Sequence, residues 1–152
     1  MTSSDTQQII RFYRVSEEYG CFSNFAAAPF TLDGRVWSTV EHYFQANKFL
    51  DTEIQETIRL TKSPMIAARM GRDRQKPLRR DWETVKIGLM TDAIRAKFTE
   101  HESLRKILLS TGTATIVEHT KRDKYWGDGG DGSGKNMLGI ILMRVRDEMI
   151  VS

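Results

Sequence analysis

Cysteine is almost absent: Cys21 stands alone among 152 residues. A single thiol cannot close an intrachain disulfide or build a cysteine zinc site, and it suits a reducing compartment. Proline is scarce, at three residues, and no Pro/Gly/Ser tract divides the chain. One domain is therefore expected over 1–152, with 1–8 as a loosely ordered start. Long apolar runs are missing as well. The longest, Met137 to Met143, is far too short to span a bilayer, so no membrane partner is expected. The opening MTSSDTQQII lacks a basic stretch followed by an apolar one. It does not read as a signal peptide, and the expected location is the cytoplasm.

What the chain does contain suits a packed core. Hydrophobic residues make up 39% and charged residues 28%. The net charge of +3 and the pI of about 9.1 mildly favour anionic partners. The charge is uneven: Arg69, Arg72, Arg74, Lys76, Arg79 and Arg80 form a cationic run opposed only by Asp73. A solvated helix end is the commoner fate of such a run. A phosphate or nucleic-acid contact is the sharper reading.

The pattern predicts a mainly α fold, multihelical around a central helix, with a small antiparallel β element. Ile9 to Val15 reads as a strand, and Thr113 to His119 alternates like another. Phe30–Leu32 and Arg35–Trp37 flank Asp33-Gly34, a tight hairpin turn. Ser38 precedes a helical run from Thr39 to Leu50. Ser63-Pro64 starts a short helix that stops at Gly71, read as a left-handed cap. Asp81 caps a helix over Trp82 to Phe98, whose two apolar stripes mark it as central and buried. Glu102 to Leu109 and Asn136 to Met149 complete the set. Strands and helices do not alternate as in a doubly wound nucleotide-binding sheet.

Three segments carry candidate chemistry. In Trp37–Phe49, helical spacing puts Glu41, Gln45 and Lys48 on one face, a carboxylate, an amide and an amine in register. The plainer reading pairs Ser38 with Glu41 as a capping box and leaves Gln45 and Lys48 as surface residues. His42 reads as a packed histidine; no spacing links it to His101 and His119, so no metal site is expected. In Tyr125–Asn136, five glycines fall within eight residues and end at a helix start, which brings backbone N–H groups near a ligand. The segment resembles a phosphate loop, but Asn136 replaces the magnesium-binding hydroxyl and no buried parallel strand leads directly into the loop. A flexible linker is the alternative, weakened by Tyr125 and Trp126, which can stack on a base. In Phe22–Phe25, Ser23 and Asn24 can hydrogen-bond a ligand, although a plain turn is the commoner use.

Taken together, Tyr19-Gly-Cys-Phe-Ser-Asn-Phe25, Trp37-x-Thr-x-Glu-His-Tyr-Phe-Gln-Ala-x-Lys48, Ala68-Arg-Met-Gly-Arg-Asp-Arg74, Arg80-Asp-Trp82 and Tyr125-Trp-Gly-Asp-Gly-Gly130 through Asn136-x-Leu-Gly139 resemble the NADAR superfamily, in its YbiA-like branch. The resemblance runs from near Ile9 almost to the C-terminus. It implies a mainly helical fold and an N-glycosidase acting on phosphoribosylamino-pyrimidine intermediates of riboflavin biosynthesis, with release of ribose 5-phosphate. It also implies an alternative, removal of ADP-ribose from guanine bases, with nucleic acid only as the modified substrate. Glu41, Trp82, Trp126 and Asp128 are the residues it singles out.

Cleaving a ribosyl C–N bond develops positive charge on the sugar, which a carboxylate stabilises while activating water. That role is expected of Glu41, oriented by Gln45. Asp128 would protonate the leaving base or hold the ribose hydroxyls. Trp82 and Trp126 would stack the pyrimidine, with Tyr125, Asn24, Gly129 and Gly130 as further substrate contacts. Lys48 would bind phosphate or attack the anomeric carbon. Arg69, Arg72 and Arg74 form the expected phosphate clamp. The chemistry requires no metal or organic cofactor. A non-catalytic nucleotide-binding module is the reading from another class, and it predicts binding without base release.

Overall fold

The structure is a computed structural model and describes residues 8–151. The expectation of loose order over 1–8 falls almost wholly outside the described residues. The chain divides into two compact units, one from Asn24–Glu100 and the other from the described parts of 1–23 and 101–152.

The Asn24–Glu100 unit opens with a hairpin, β2 (Phe30–Leu32) and β3 (Arg35–Trp37), paired antiparallel. Asp33 and Gly34 adopt φ of 57° and 76°, the positive values that the two-residue turn demands. The buried Trp37 indole donates from Nε1 to the Leu32 carbonyl at 3.0 Å. Its ring meets Tyr43 edge-on at 5.1 Å.

Four helices follow: α1 (Val40–Ala46), α2 (Thr52–Arg59), α3 (Pro64–Gly71) and α4 (Trp82–Glu100). Helix α1 packs against α2, α3 and α4, and all seven of its residues are buried. It is the central helix. The expected centre, α4, is buried mainly in its last turns, at Met90, Ala93, Ile94, Lys97 and Phe98. Its first half is flanked by half-exposed Val85, Ile87 and Leu89. Two apolar stripes on a helix can therefore mark a half-covered element as well as a buried one.

Helix starts follow their predicted chemistry with small shifts. Ser63 caps α3, accepting from the Ile66 amide at 3.2 Å, with Pro64 at the first position. Thr39, not Ser38, caps α1: its Oγ1 accepts from the His42 amide at 3.1 Å. The Glu41 amide donates instead to the Asn24 carbonyl at 3.1 Å. No Ser38–Glu41 capping box forms. Gly71 is not a left-handed cap either; α3 ends through Arg72, at φ −90°.

In the other unit, β1 (Ile9–Phe12) and β4 (Thr115–Glu118) pair in parallel, Ile9 opposite Thr115. Helices α5 (Glu102–Ser110) and α6 (Met137–Val151) pack together, and α6 lies on β4. The approach is close at Gly139, where a Cβ would fall 2.1 Å from the Ile116 carbonyl oxygen. Asn136 completes the outer edge of β4 with its side chain. Its Oδ1 accepts from the Glu118 amide and its Nδ2 donates to the Ile116 carbonyl, each at 2.9 Å. One amide side chain thus imitates a neighbouring strand. Buried Arg146 donates from Nη1 to Thr111 Oγ1 and the Ala114 carbonyl, tying α6 to the turn before β4. The small β element is therefore one antiparallel hairpin and one parallel pair, both two-stranded.

Candidate active site

The Asn24–Glu100 unit gathers Glu41, Gln45, Lys48, Arg72, Arg74 and Trp82. Glu41 and Gln45 lie one turn apart on α1, buried at 8% and 5% exposure, so neither is a surface residue. Gln45 Nε2 donates to Glu41 Oε2 at 2.7 Å. A carboxylate held this way is fixed in direction. Gln45 Oε1 has no donor among the described residues. It sits against Gly71, where a Cβ would fall 1.9 Å from that oxygen. Gly71 is needed for this close approach rather than for a turn. Asn24 stands beside this arrangement, its carbonyl bonded to the Glu41 amide and its Nδ2 reaching Met90 Sδ at 3.5 Å.

Lys48 lies just beyond α1, which ends at Ala46, four residues earlier than the sequence pattern indicates. Its amide still bonds the Gln45 carbonyl at 3.3 Å, so the side chain keeps its alignment with Glu41. Nζ reaches the Gly71 carbonyl at 3.5 Å and lies 5.9 Å from both the Phe44 and Trp82 ring centres. Burial lowers the Lys48 amine from its ordinary range; the Glu41 carboxylate opposes that shift and Arg72 adds to it. The Lys48 carbonyl accepts from the Arg79 amide at 2.9 Å, and Arg79 Nη1 donates to the Asn47 carbonyl. Arg79 is itself held by a two-point pair with Asp81.

Lys48, Gly71, Arg72, Arg74, Lys76 and Trp82 line a cavity of about 730 Å³. That volume suits a drug-sized or nucleotide-sized ligand. Arg69 lies outside this lining, its guanidinium near Met65 Sδ at 3.7 Å. Of the three expected clamp arginines, two line the cavity, joined by Lys76. Trp82 is 7% exposed and packs on Phe44 at 4.9 Å, so only a margin of its ring is open.

Tyr125, Trp126, Asp128, Gly129 and Gly130 belong to the other unit. The glycine segment is a closed knot rather than a flexible linker. The Asp128 amide bonds the Glu118 carbonyl, Gly129 bonds Asp123, and both Gly132 and Gly134 bond the Asp128 carbonyl. The first amides of α6 are also taken, Met137 by Tyr125 and Leu138 by Trp126. The expected anion cradle of free N–H groups is therefore spent internally. Asp128 is the knot's centre: Oδ1 accepts from the Thr120 and Gly130 amides, and Oδ2 pairs with His119 Nδ1 at 2.8 Å. Its burial favours the neutral acid, but these partners outweigh burial and hold the carboxyl below its ordinary range. Asp123 Oδ1 accepts from the Tyr125 and Trp126 amides, and the two rings meet edge-on at 4.9 Å.

Sequence reasoning missed Gly71, Arg79 and His119 as organisers. Gly71 and Arg79 sit in or beside the basic run, where charge drew attention away from backbone geometry. In sequence His119 stands out only beside His42 and His101, with no spacing that links the three. Among the described residues, no three His, Cys, Asp or Glu residues are grouped to hold a metal ion, and no helix is long and apolar enough to cross a membrane.

A buried carboxylate, an amide that aims it and a lysine with a lowered pKa beside an aromatic cavity are groups suited to breaking a glycosidic bond. A family model for the NADAR domain matches residues 11–150, across both units, and the chain belongs to that family. It is 58% identical over 143 residues to N-glycosidase YbiA of Escherichia coli (strain K12), covering 94% of this chain and 89% of that protein. It is 43% identical to N-glycosidase Npun_R5314 of Nostoc punctiforme, covering 92% of each. The NMR structure of the E. coli protein YbiA superposes with a TM-score of 0.89 at 57% identity, over 95% of this chain and 86% of that one. The mainly α fold is shared, and the chain is an N-glycosyl hydrolase. A further relative, the chloroplastic riboflavin biosynthesis protein PYRR of Zea mays, is 41% identical over 93% of this chain but only 25% of its own length.

Proposed function

We propose that this chain hydrolyses the C–N bond of phosphoribosylamino-pyrimidine intermediates of riboflavin biosynthesis, releasing ribose 5-phosphate. The observation that carries the reading is the Gln45-held Glu41 carboxylate, two helical turns from a half-buried lysine whose pKa is lowered. The riboflavin-related names of some relatives support the substrate class. Arg72, Arg74 and Lys76 supply positive charge for the 5-phosphate at the cavity wall.

In this mechanism the C1–N bond breaks with positive charge developing on the ribose, and Glu41 stabilises that charge. A water oxygen adds to C1, and a proton passes to the departing nitrogen. The lowered Lys48 pKa favours the covalent variant, in which the neutral amine attacks C1 and water later releases the sugar. Trp126 and Asp128 enter on the family resemblance. The bonds around Asp128 support a share in shaping the loop that carries Trp126. The family match over residues 11–150 supports reading the two units as one domain.

Glu41→Gln tests the assignment by removing charge at constant size. Loss of ribose 5-phosphate release by roughly 10²–10⁴-fold is expected with the fold intact. Near-normal turnover would overturn the assignment. Trapping with borohydride during turnover reads the covalent route: a mass adduct on Lys48 supports it, and none during verified turnover returns Lys48 to phosphate binding. Assaying ADP-ribosylated guanosine beside the pyrimidine substrate tests the substrate class. Preference for the former would transfer the same carboxylate to that reaction.

A further inference from the structure

We propose that the carboxyl end of the β1–β4 pair is a site for a phosphate monoester or diphosphate group. A cavity of about 450 Å³ opens there, lined by Tyr13, Arg14, His119, Thr120, Lys121 and Arg122. Topology explains the gathering. Tyr13 and Arg14 directly follow β1, and His119 to Arg122 directly follow β4. The strands are parallel, so both segments emerge on the same side. Open parallel sheets bind ligands at this end.

The chemistry of the lining selects an anion. Arg14, Lys121 and Arg122 carry charge, are exposed, and join no ion pair among the described residues. No carboxylate lines the cavity. On the β1 side, Glu17 Oε1 accepts from the Arg14 backbone amide at 3.0 Å. His119 is held through Nδ1 by Asp128, which leaves Nε2 of a 48%-exposed side chain free to face a ligand. Guanidinium, ammonium and imidazole groups converging on a concavity match phosphate oxygens.

The site is also built rather than loosely draped. Asp128 fixes the Thr120 amide and His119, and the Thr120 hydroxyl accepts from the Arg122 amide at 3.1 Å. At Gly130 a Cβ would fall 2.5 Å from Lys121 Cγ, so only glycine lets the lysine stem lie across the loop. Tyr13, 39% exposed, offers a ring beside the charges. The cavity's volume suits one phosphorylated small molecule; nucleic acid would call for an extended basic stripe.

Titration of the full chain with inorganic phosphate, then inorganic pyrophosphate, followed in ¹⁵N–¹H spectra, tests the proposal. Saturable shifts confined to the amides of Arg14 and His119 to Arg122 are expected, with pyrophosphate binding more tightly. Lys121→Gln/Arg122→Gln weakens binding at least tenfold, whereas Lys106→Gln on α5 leaves it unchanged. Arg14→Gln, alone, serves should the double variant lose its fold. Shifts scattered over all surface cations, or equal affinity in the variants, overturn the site. Kinetics identify the source of the phosphate. A raised KM in the double variant for a phosphorylated but not a dephosphorylated glycoside means the substrate supplies it. Unchanged kinetics, with pyrophosphate still bound by the parent, mean a separate phosphorylated ligand. The spectra are independent of turnover, so this site and the Glu41 mechanism stand or fall separately.

Discussion

Gln45 makes one strong bond and leaves one buried oxygen without a donor among the described residues, an arrangement that costs stability. Such a cost is consistent with a residue kept for aiming a carboxylate. Gly71→Ala probes it. The new methyl group meets Gln45 Oε1 and crowds its Cβ, which lies 2.9 Å away. Destabilisation of about 1–3 kcal/mol is expected by thermal melting. A fall in kcat larger than any rise in KM should accompany it, because Glu41 loses its direction. The Lys48 amine makes a second prediction. Its folded pKa lies below the ordinary 10.5, so the neutral, nucleophilic form is gained as pH rises toward that value. Adduct trapping should rise with pH to a midpoint below 10.5. In Glu41→Gln the ¹³C-observed lysine titration should shift lower still, because the opposing carboxylate is gone. None of this is legible in sequence at single-residue level. Glu41, Gln45 and Lys48 are polar side chains at helical spacing, and spacing alone does not separate a solvated face from a buried one.

Elements were easier to read where one local rule acts alone. The Asp33-Gly34 turn and the Ser63-Pro64 start each rest on one backbone requirement, and both form as expected. The α1 start was less legible, because Ser38 and Thr39 offer adjacent hydroxyls and tertiary contact from Asn24 decides between them. The glycine segment is harder to read, because its amides close on the loop's own Asp128 and on Glu118 and Asp123 just before it, pairings that no periodic pattern marks. Asn136 bonds the outer edge of β4 at two points, across 18 and 20 residues of sequence. Asn136→Ala strands a Glu118 amide and an Ile116 carbonyl. A loss of about 1–3 kcal/mol is expected, with faster amide exchange at Glu118 than at Ile94 of α4. Unchanged melting and exchange would show that β4 does not depend on this side chain.

Across the molecule, depressed carboxyls set the acid limit. Glu56 is pulled down to about 2, chiefly by Arg59 and then Arg35. Asp73, Asp81 and Asp131 are lowered chiefly by Lys76, Arg79 and Ser133, respectively, and Asp128 by the partners that overcome its burial. A carboxyl with a lowered folded pKa stabilises the fold above its unfolded value, and that contribution disappears as pH falls through the folded one. The melting temperature should therefore hold from about pH 5 upward with respect to these groups and fall below about pH 4. The exposed pairs contribute little, so Asp128→Asn should remove more of the acid-dependent loss than Glu56→Gln. Equal effects would place the acid limit at the surface pairs instead.

The parallel pairing of Ile9 with Thr115 carries a consequence for the order in which the protein comes into being. Residues Asn24–Glu100 form an uninterrupted stretch and can fold as soon as they have left the ribosome. Strand β1 emerges earlier, yet its hydrogen-bonding partner is made only after that whole unit. It waits as an unpaired edge, alternately apolar at Ile10 and Phe12, while more than half the chain is synthesised. Closing so long a loop is entropically costly and slow. The cation-lined crevice at the end of that strand pair is therefore among the last parts of the molecule to exist.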